Sequence, residues 1–365
     1  MERRKKFRSL EIDAATILFP ITVARRIRAV AATDFLCGRG RRGFRSGNGY
    51  VRSSGCGSGI AYHRRNHSRT SLSLRPMSDN PQPVPAVAFA LPDQHVLTLC
   101  GRDATAFAQA QFMNEVAALA PGHWQWNGWL TPKGRVVVLF ALLKLDTETL
   151  WLLLPDADPA AFAIQLQRFV FRSKVVIAAR ADLPVSGTFA MPMHAVGSSF
   201  AGDAVTWVEL DFAGEGGERT LRIGGNAASQ SPGEMGHWAA FDLAHGLPRL
   251  SESQSAQWTP QQLSLDRLRA YSVKKGCYPG QEIVARTHFL GQAKRGLALF
   301  DAAEAIAVGR EVRDGERALG PVVSAASGSE GHCLLAVLPL EREAAALHVD
   351  GIALRERALL GGLGR

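Results

Sequence analysis

The stretch that most constrains the fold runs from residue 95 to residue 179, where strand-like and helix-like periods follow one another in a fixed order. Residues 95–99 alternate in the way of a short strand. Asp103 then predicts the N-cap of a helix that runs to about Leu119. The apolar face of that helix comprises Ala104, Phe107, Ala108, Phe112, Val116 and Leu119.

A predicted pair of strands follows this helix, and a second helix and a last strand come after the pair. Turn signals at residues 127–128 and 132–134 precede the apolar run 135–145, which we expect to pair with residues 150–154. Asp158 predicts the cap of a second helix, with Pro159 in its first turn, that runs to about Phe171. A last strand covers residues 174–179. The order β-α-β-β-α-β is ferredoxin-like, so residues 77–180 are predicted to form one α+β subdomain.

The remaining pattern predicts two further units. Residues 181–292 read as a second α+β subdomain, in which strands 206–212 and 219–223 pair and helices cover 237–245 and 260–269. From residue 293 to residue 365 the sequence consists of short strands, with turn signals at 314–315 and 327–328. These strands predict a small C-terminal β-barrel, and the fold class is therefore α+β.

Basic charge is concentrated at the start of the chain. The 365 residues carry a net charge of +9, but residues 1–76 alone carry +13 and the remainder −4. Residues 1–76 fit a disordered basic tail, a mitochondrial transit peptide, or translated upstream sequence. The last is favoured because Met77 opens a polar, Pro-rich lead-in. The mildly acidic remainder predicts no direct nucleic-acid partner.

The five cysteines lie at wide, irregular intervals without a C-x-x-C pair. This spacing predicts neither a disulfide scaffold nor a self-contained metal site, and a reducing compartment fits it best. The longest apolar runs are shorter than the roughly 18–20 residues that a membrane helix needs. We expect a soluble monomer in the cytoplasm, or in the mitochondrial matrix if residues 1–76 are a transit peptide.

One tight turn combines the features of a reactive site. Cys277 lies between Gly276 and Gly280, and residues 281–288 predict a helix. The preceding lysines, including Lys275, and the positive end of that helix favour the thiolate form of cysteine. The alternative is that the glycines only shape a connection and Cys277 is a small buried hydrophobe. Cys100 and Cys333 lie in apolar strands, where we expect them to be packed.

The turn also carries a family signature. Lys275-Gly276-Cys277-Tyr278-Pro279-Gly280-Gln281-Glu282 resembles the K-G-C-[FY]-x-G-Q-E motif of the YgfZ-type folate-binding proteins, relatives of the glycine-cleavage aminomethyltransferase. The similarity continues to Arg286 and to the downstream Gly291, Lys294 and Arg295, and it covers about residue 77 to the end. It implies an aminomethyltransferase-like folate-binding body of two ferredoxin-like α+β subdomains plus the C-terminal β-barrel. Within the motif, Gln281 is expected to order the turn, and Glu282 and Arg286 have the spacing of a helical ion pair.

The resemblance further implies a set of folate contacts: Asn114, Trp126, Lys133, Gly134, Arg135, Arg172 and Lys174. Residues 131–135 match a family turn that leads into a Lys-Gly-Arg strand, and Trp126 offers a flat ring for a pterin. Packing within the sheet is the alternative for the tryptophan, and ordinary solvated surface charge is the alternative for Arg172 and Lys174. Met113 and Glu115 depart from the family pattern, which leaves any polar role there to Asn114.

The implied function is that of a tetrahydrofolate-binding accessory protein for the assembly or repair of iron-sulfur enzymes, including tRNA-modifying ones. Cys277 would be the working thiol, and client enzymes or assembly proteins would be the partners. A lone cysteine cannot hold a cluster, so a partner or a small thiol must supply the other ligands transiently. The alternative is a folate-dependent aminomethyl transferase with Glu115 or Asp242 as acid or base. An RNA-binding role for the basic N-terminal residues is a third, weaker hypothesis.

Overall fold

The computed structural model describes residues 86–291, 293–329, 331–343 and 346–365. These residues form two five-stranded antiparallel sheets and one closed six-stranded barrel. The predicted α+β class with a C-terminal β-barrel is confirmed. The interpretations of residues 1–76 lie outside the described residues. In the described part of the chain, no helix is both long and apolar enough to cross a membrane.

The strands and helices have the following bounds in chain order. The strands are β1 (Phe89–Ala90), β2 (Gln94–Cys100), β3 (His123–Leu130), β4 (Val136–Lys144), β5 (Thr149–Pro155), β6 (Val176–Ala179), β7 (Val185–Thr188), β8 (Ala201–Gly202), β9 (Trp207–Asp211), β10 (Thr220–Gly224), β11 (Arg295–Ala302), β12 (Glu311–Asp314), β13 (Arg317–Gly328), β14 (Gly331–Pro339), β15 (Leu347–Val349) and β16 (Ile352–Arg357). The α-helices are α1 (Ala104–Gln111), α2 (Pro159–Gln167), α3 (Pro232–Ala244) and α4 (Gln281–Phe289), and a short 3₁₀ helix covers Glu252–Gln254.

The first sheet has the strand order β3-β4-β5-β2-β6. Strands β4, β5, β2 and β6, with α1 and α2, form the predicted ferredoxin-like arrangement. Strand β4 pairs with β5 as expected. The additional strand β3 was not predicted, because Asn127-Gly128 reads as a turn. Both residues instead lie inside β3, where a Cβ on Gly128 would come within 2.7 Å of Met113 Cε. The glycine therefore serves close packing, and the turn prediction is wrong.

Both helices of this unit end earlier than predicted. Helix α1 stops at Gln111 and not near Leu119, because Phe112 adopts an extended conformation. Phe112 is still fully buried. The apolar pattern therefore predicted a core position correctly, although this residue lies beyond the end of the helix. Helix α2 ends at Gln167 and not near Phe171, although its predicted cap is confirmed: the Asp158 side chain accepts from Ala160 N at 2.8 Å.

Asp103 does not act as the predicted side-chain cap of α1. Its carboxylate accepts a hydrogen bond from Lys174 N at 2.6 Å, and no side-chain capping bond to the helix is present among the described residues. The start of α1 is thereby joined to the segment that leads into β6. The sequence could not distinguish this long-range bond from a local cap, because an aspartate serves both.

The second sheet has the order β1-β7-β10-β9-β8, and the predicted pairing of β9 with β10 is confirmed. Helix α3 begins at Pro232, five residues before the predicted start. The helix predicted for residues 260–269 is wrong, since this segment is a series of turns. Ser264 and Arg269 have φ values of 48° and 54°, which an α-helix does not allow.

The barrel comprises β11 to β16, and the turn predicted at Asp314-Gly315 joins β12 to β13. One large apolar core contains residues from both sheets and from the barrel. Alternation along β3 directs Trp124 and Trp126 into this core, whereas Trp129 packs with Phe162 of α2 on the opposite face. The central core therefore joins the first sheet to the rest of the described chain.

Candidate functional site

The signature turn is held by hydrogen bonds from its own side chains. Ser272 Oγ accepts from Lys275 N at 3.2 Å, and Gln281 Nε2 donates to Lys275 O at 2.9 Å. The Tyr278 hydroxyl donates to Ser272 O at 3.1 Å, while its ring is buried. Cys277 itself is exposed. The alternative of a buried packing cysteine is therefore excluded, and the turn presents the thiol to solvent.

Lys275 fastens this turn to the end of α1. Its side chain is buried, and Nζ donates to Gln109 O and Phe112 O at 2.6 Å each and to Asn114 O at 3.1 Å. Carbonyls at a helix C-terminus lack intrahelical partners and attract a cation, so three of them together make a strong site for an ammonium group. All three N–H donors of Lys275 are used there. Lys275 therefore directs its ammonium toward the end of α1.

The ionisation of Lys275 gives a testable pH dependence. Burial lowers its pKa from 10.5 to about 8, and the Glu115 carboxylate partly opposes this shift. Between these two pH values the unfolded state binds more protons than the folded state, so the contribution of Lys275 to stability rises with pH. We expect the difference in unfolding free energy between the wild type and Lys275→Met to increase from pH 8 to pH 10, by at most about 1.4 kcal/mol per pH unit. Urea unfolding at a series of pH values measures this difference, and a flat or falling difference would contradict the burial of the charged amine.

The signature turn packs directly against the turn at residues 131–135. Gly280 has a φ of +79°, and a Cβ there would lie 2.5 Å from Thr131 O and 2.7 Å from Gly134 Cα. A Cβ on Gly134 would in turn lie 2.8 Å from Ile283 Cβ. The structure thus brings together two of the segments that the sequence marked. Lys133 lies next to this contact and is exposed.

Asn114 and Trp126 form part of the wall behind the turn. Asn114 Nδ2 donates to Trp126 O at 2.9 Å and to Arg269 O at 2.7 Å, and its Oδ1 accepts from Glu115 N at 2.9 Å. Trp126 is 2% exposed, and its Nε1 donates to Leu363 O at 2.8 Å. The polar groups of both side chains are already bonded within the chain. In this arrangement they support the fold around the turn.

A feature that sequence reasoning missed is the path of residues 359–365, which follow the barrel and return to the central core. Leu363 is buried, and the Arg365 guanidinium lies 5.4 Å from the centre of the Trp124 ring. Arg365 Nη2 also donates to Asp211 O at 3.0 Å and to Ala213 O at 2.9 Å. The tryptophan cluster is therefore covered by this segment. The only sequence signal was the Gly361-Gly362 pair, which permits a sharp change of direction.

Arg172 and Lys174 are not brought to the signature turn. The backbone of Lys174 bonds to Asp103 at the start of α1, whereas Lys275 binds carbonyls at the end of the same helix. Eight residues of α-helix span about 12 Å, which separates the two groups. Arg172 and Lys174 are both exposed.

Two pairs of charges around the site have structural roles. Arg286 donates to Glu282 at 2.8 Å on the exposed side of α4, as their spacing predicts. Asp242, the acid considered for a transferase, is 1% exposed and pairs with the equally buried Arg219 at 2.7 Å. Its second oxygen lies 3.5 Å from Arg249 Nη1. Asp242 is therefore a core ion-pair residue.

The other described cysteines differ from Cys277 in their surroundings. Cys100, at the end of β2, is exposed, so the prediction that it is packed is wrong. Cys333 is half-buried, and burial raises the pKa of its thiol to about 11. Cys333 is thus protonated at neutral pH. Cys100 provides an exposed cysteine outside the signature turn.

Comparisons with known proteins agree with the signature. No family model matches the chain. A protein named tRNA-modifying protein YgfZ from Klebsiella pneumoniae is 27% identical over 280 residues, which cover 70% of this chain and 85% of that protein. Its namesake from Aliivibrio fischeri is 24% identical over 290 residues, with 71% and 87% covered. An uncharacterized protein from Haemophilus influenzae is 27% identical over 214 residues, with 58% and 72% covered.

A solved structure supports the same relationship at the level of the fold. The glycine cleavage system aminomethyltransferase T from Bartonella henselae superposes with a TM-score of 0.60, over 75% of this chain and 85% of that one. The two sequences are 13% identical, so this similarity concerns the fold alone. The resemblance inferred from residues 275–282 is confirmed. In sequence the chain is similar to proteins named tRNA-modifying protein YgfZ, and its fold is similar to that of an aminomethyltransferase.

Proposed function

We propose that this chain is a tetrahydrofolate-binding accessory protein for the assembly or repair of iron-sulfur enzymes, including tRNA-modifying ones, with Cys277 as its working thiol. The names of two relatives support a connection with tRNA modification. The observation that carries the proposal is the exposure of Cys277 on a turn whose other polar side chains are engaged in holding its shape. Such a turn presents one thiol in a fixed position.

The chain supplies one sulfur ligand at this turn. Within the described ranges, no three His, Cys, Asp or Glu side chains are grouped in a way that could hold a metal ion. An iron-sulfur cluster is the cargo in this proposal, and its remaining ligands come from a partner protein or a small thiol. The anchoring of Lys275 to α1 fixes the backbone on one side of Cys277, and the contact of Gly280 with residues 131–134 fixes it on the other.

The residues proposed to hold folate fit its acidic tail better than its pterin ring. Lys133 is exposed beside the signature turn, and Arg135 follows it by two residues. These cations would bind the carboxylates of the glutamate part. Asn114 and Trp126 have their polar groups bonded within the chain, so they would shape the wall and not contact the ring directly. Folate, when bound, would supply one-carbon or reducing chemistry.

The transferase alternative has less support from this chain. Proton transfer at a folate nitrogen requires an acid or base within hydrogen-bond reach of the reacting atom. Asp242, one of its two candidates, is buried in an ion pair with Arg219. The other, Glu115, accepts a bond from the backbone N–H of Ala117 at 3.2 Å, which is a local structural contact.

The proposal is tested in bacterial cells that lack their own YgfZ-type protein. The full chain should restore the activity of a [4Fe-4S] tRNA-modifying enzyme, measured as the fraction of modified nucleoside in purified tRNA by mass spectrometry. An empty vector gives the lower reference. If the chain accumulates as a folded protein and the modified fraction stays at the vector level, the accessory role is contradicted.

A further inference from the structure

A small basic pocket lies beside α4, and it shares Arg135 with the proposed folate contacts. Its volume is about 230 Å³, and its lining consists of Arg135, Thr259, Gln262, Thr287, Ala293, Lys294 and Arg295. Three of these seven residues are cations, and none is acidic. The cations come from different parts of the chain, since Arg135 immediately precedes β4, whereas Lys294 immediately precedes β11 and Arg295 is its first residue.

The two arginines are held in place through one nitrogen each. Arg135 Nη1 donates to Gln257 O at 2.8 Å and to Gln262 Oε1 at 3.0 Å. Arg295 Nη1 donates to Leu319 O at 2.6 Å and to Val337 O at 3.3 Å. Their remaining guanidinium N–H groups have no hydrogen-bond partner within the described ranges. Each arginine is therefore fixed in position and still has donors available for a ligand.

The positive charge of the pocket is not neutralised by the described part of the chain. None of the ion pairs in that part of the chain involves Arg135, Lys294 or Arg295. Like charges placed close together repel one another, and an anion between them removes this repulsion. Guanidinium groups match the oxygens of phosphate and carboxylate groups geometrically.

We propose that this pocket binds the phosphate group of a small phosphate-bearing molecule. A phosphate group offers three terminal oxygens and up to two negative charges, whereas a carboxylate offers two oxygens and one charge. Donors that approach from residue 135 on one side and from residues 294 and 295 on the other suit the larger anion. The amide group of Gln262 adds a further donor to the lining. Arg135 is shared with the proposed folate contacts, whereas Lys294 is not among them, so a variant at Lys294 tests the phosphate site separately.

The pocket lies alongside the helix that follows the signature turn. Thr287 is in the last turns of α4, and Arg135 is adjacent to Gly134, which contacts the start of the same helix. A nine-residue helix is about 13 Å long. A molecule anchored here by its phosphate therefore lies beside the helix that follows the signature turn.

Calorimetric titration of the full-length protein with inorganic phosphate tests the proposal. Saturable binding is expected, and it should weaken at least tenfold in Lys294→Glu and in Arg135→Gln. Lys294 is exposed and has no hydrogen bond from its side chain within the described ranges, so its replacement should leave the fold intact. The matched control is Arg102→Glu, a charge reversal at a side chain that is 70% exposed at the start of α1, outside the pocket. Binding to this control should remain within twofold of the wild type.

Several results would overturn the proposal. The first such result is that the wild type shows no saturable binding of phosphate. Equal weakening in Lys294→Glu and Arg102→Glu would show that only the overall charge matters, including the basic residues 1–76. Tighter binding of a triglutamate peptide than of phosphate, lost in Lys294→Glu, would identify a carboxylate site in place of a phosphate site. Circular dichroism spectra and melting temperatures of the variants confirm that each one is folded.

Discussion

Replacing Asp242 with alanine should reduce the unfolding free energy by about 3–5 kcal/mol, because it leaves a buried arginine without its counter-charge. Arg219 and Asp242 are 0% and 1% exposed, and their closest atoms are 2.7 Å apart. The Arg219 guanidinium also lies 4.1 Å from the centre of the Trp238 ring and 4.0 Å from that of Phe241. These rings keep water away from the cation, and burial lowers the pKa of Arg219. Urea unfolding followed by tryptophan fluorescence measures the loss.

Two comparison variants make this result specific. Asp182→Ala removes a carboxylate that also pairs at 2.7 Å but is 65% exposed, and it should cost much less stability than Asp242→Ala. The double variant Arg219→Met with Asp242→Leu removes both charges and should be more stable than Asp242→Ala alone. A loss below about 1 kcal/mol in Asp242→Ala would contradict the buried ion pair. A double variant no more stable than the single one would show that the loss comes from packing and not from the orphaned charge.

Gly280→Ala should destabilise the protein by about 2–4 kcal/mol and displace the signature turn. About 1–2 kcal/mol follows from placing a Cβ at a φ of +79°. The rest follows from overlap with rigid backbone, because the new Cβ would lie 2.5 Å from Thr131 O and 2.8 Å from Gly134 N. Backbone atoms on both sides cannot rotate away as a side chain can. The two turns would have to separate, and Cys277 lies on one of them.

The same turn contains the matched control. A Cβ added at Gly276 would have no heavy atom within 4 Å, and the residue has no left-handed φ, so Gly276→Ala should change stability by less than about 0.5 kcal/mol. Urea unfolding gives the stability of both variants, and the alkylation rate of Cys277 reports on its presentation. Equal effects of the two substitutions would contradict the close contact between the signature turn and residues 131–134.

Local patterns predicted the elements whose partners are near in sequence. The pairing of residues 135–145 with 150–154 follows from two apolar runs joined by a short polar turn, and β4 and β5 form it. Helix α4 follows from the Gly280 turn and the helix-forming residues after it. The fold class and the barrel could likewise be predicted, because strand alternation and turn residues are local properties.

The prediction failed where distant residues decide the conformation. Asn127-Gly128 is a typical turn dipeptide, yet Asn127 Oδ1 accepts from Asn114 N at 2.9 Å and Gly128 makes room for Met113. Lys275 is close to Cys277 in sequence, but its ammonium binds carbonyls at the end of α1, more than 160 residues earlier. The bond from Trp126 to Leu363 spans 237 residues. No period or spacing in a single sequence indicates such contacts.

The most direct test of the account is a comparison of cysteine variants in cells that lack their own YgfZ-type protein. The wild-type chain, Cys277→Ala and Cys100→Ala are produced at equal levels, and the modified fraction of the tRNA nucleoside is measured by mass spectrometry. Both cysteines are exposed, so the two alanine variants should be similarly stable. We expect Cys100→Ala to restore the modified fraction to the level that the wild type restores. Cys277→Ala should restore at most about a tenth of that level. Full restoration by Cys277→Ala would contradict the role of this thiol and leave the signature turn with a structural function alone.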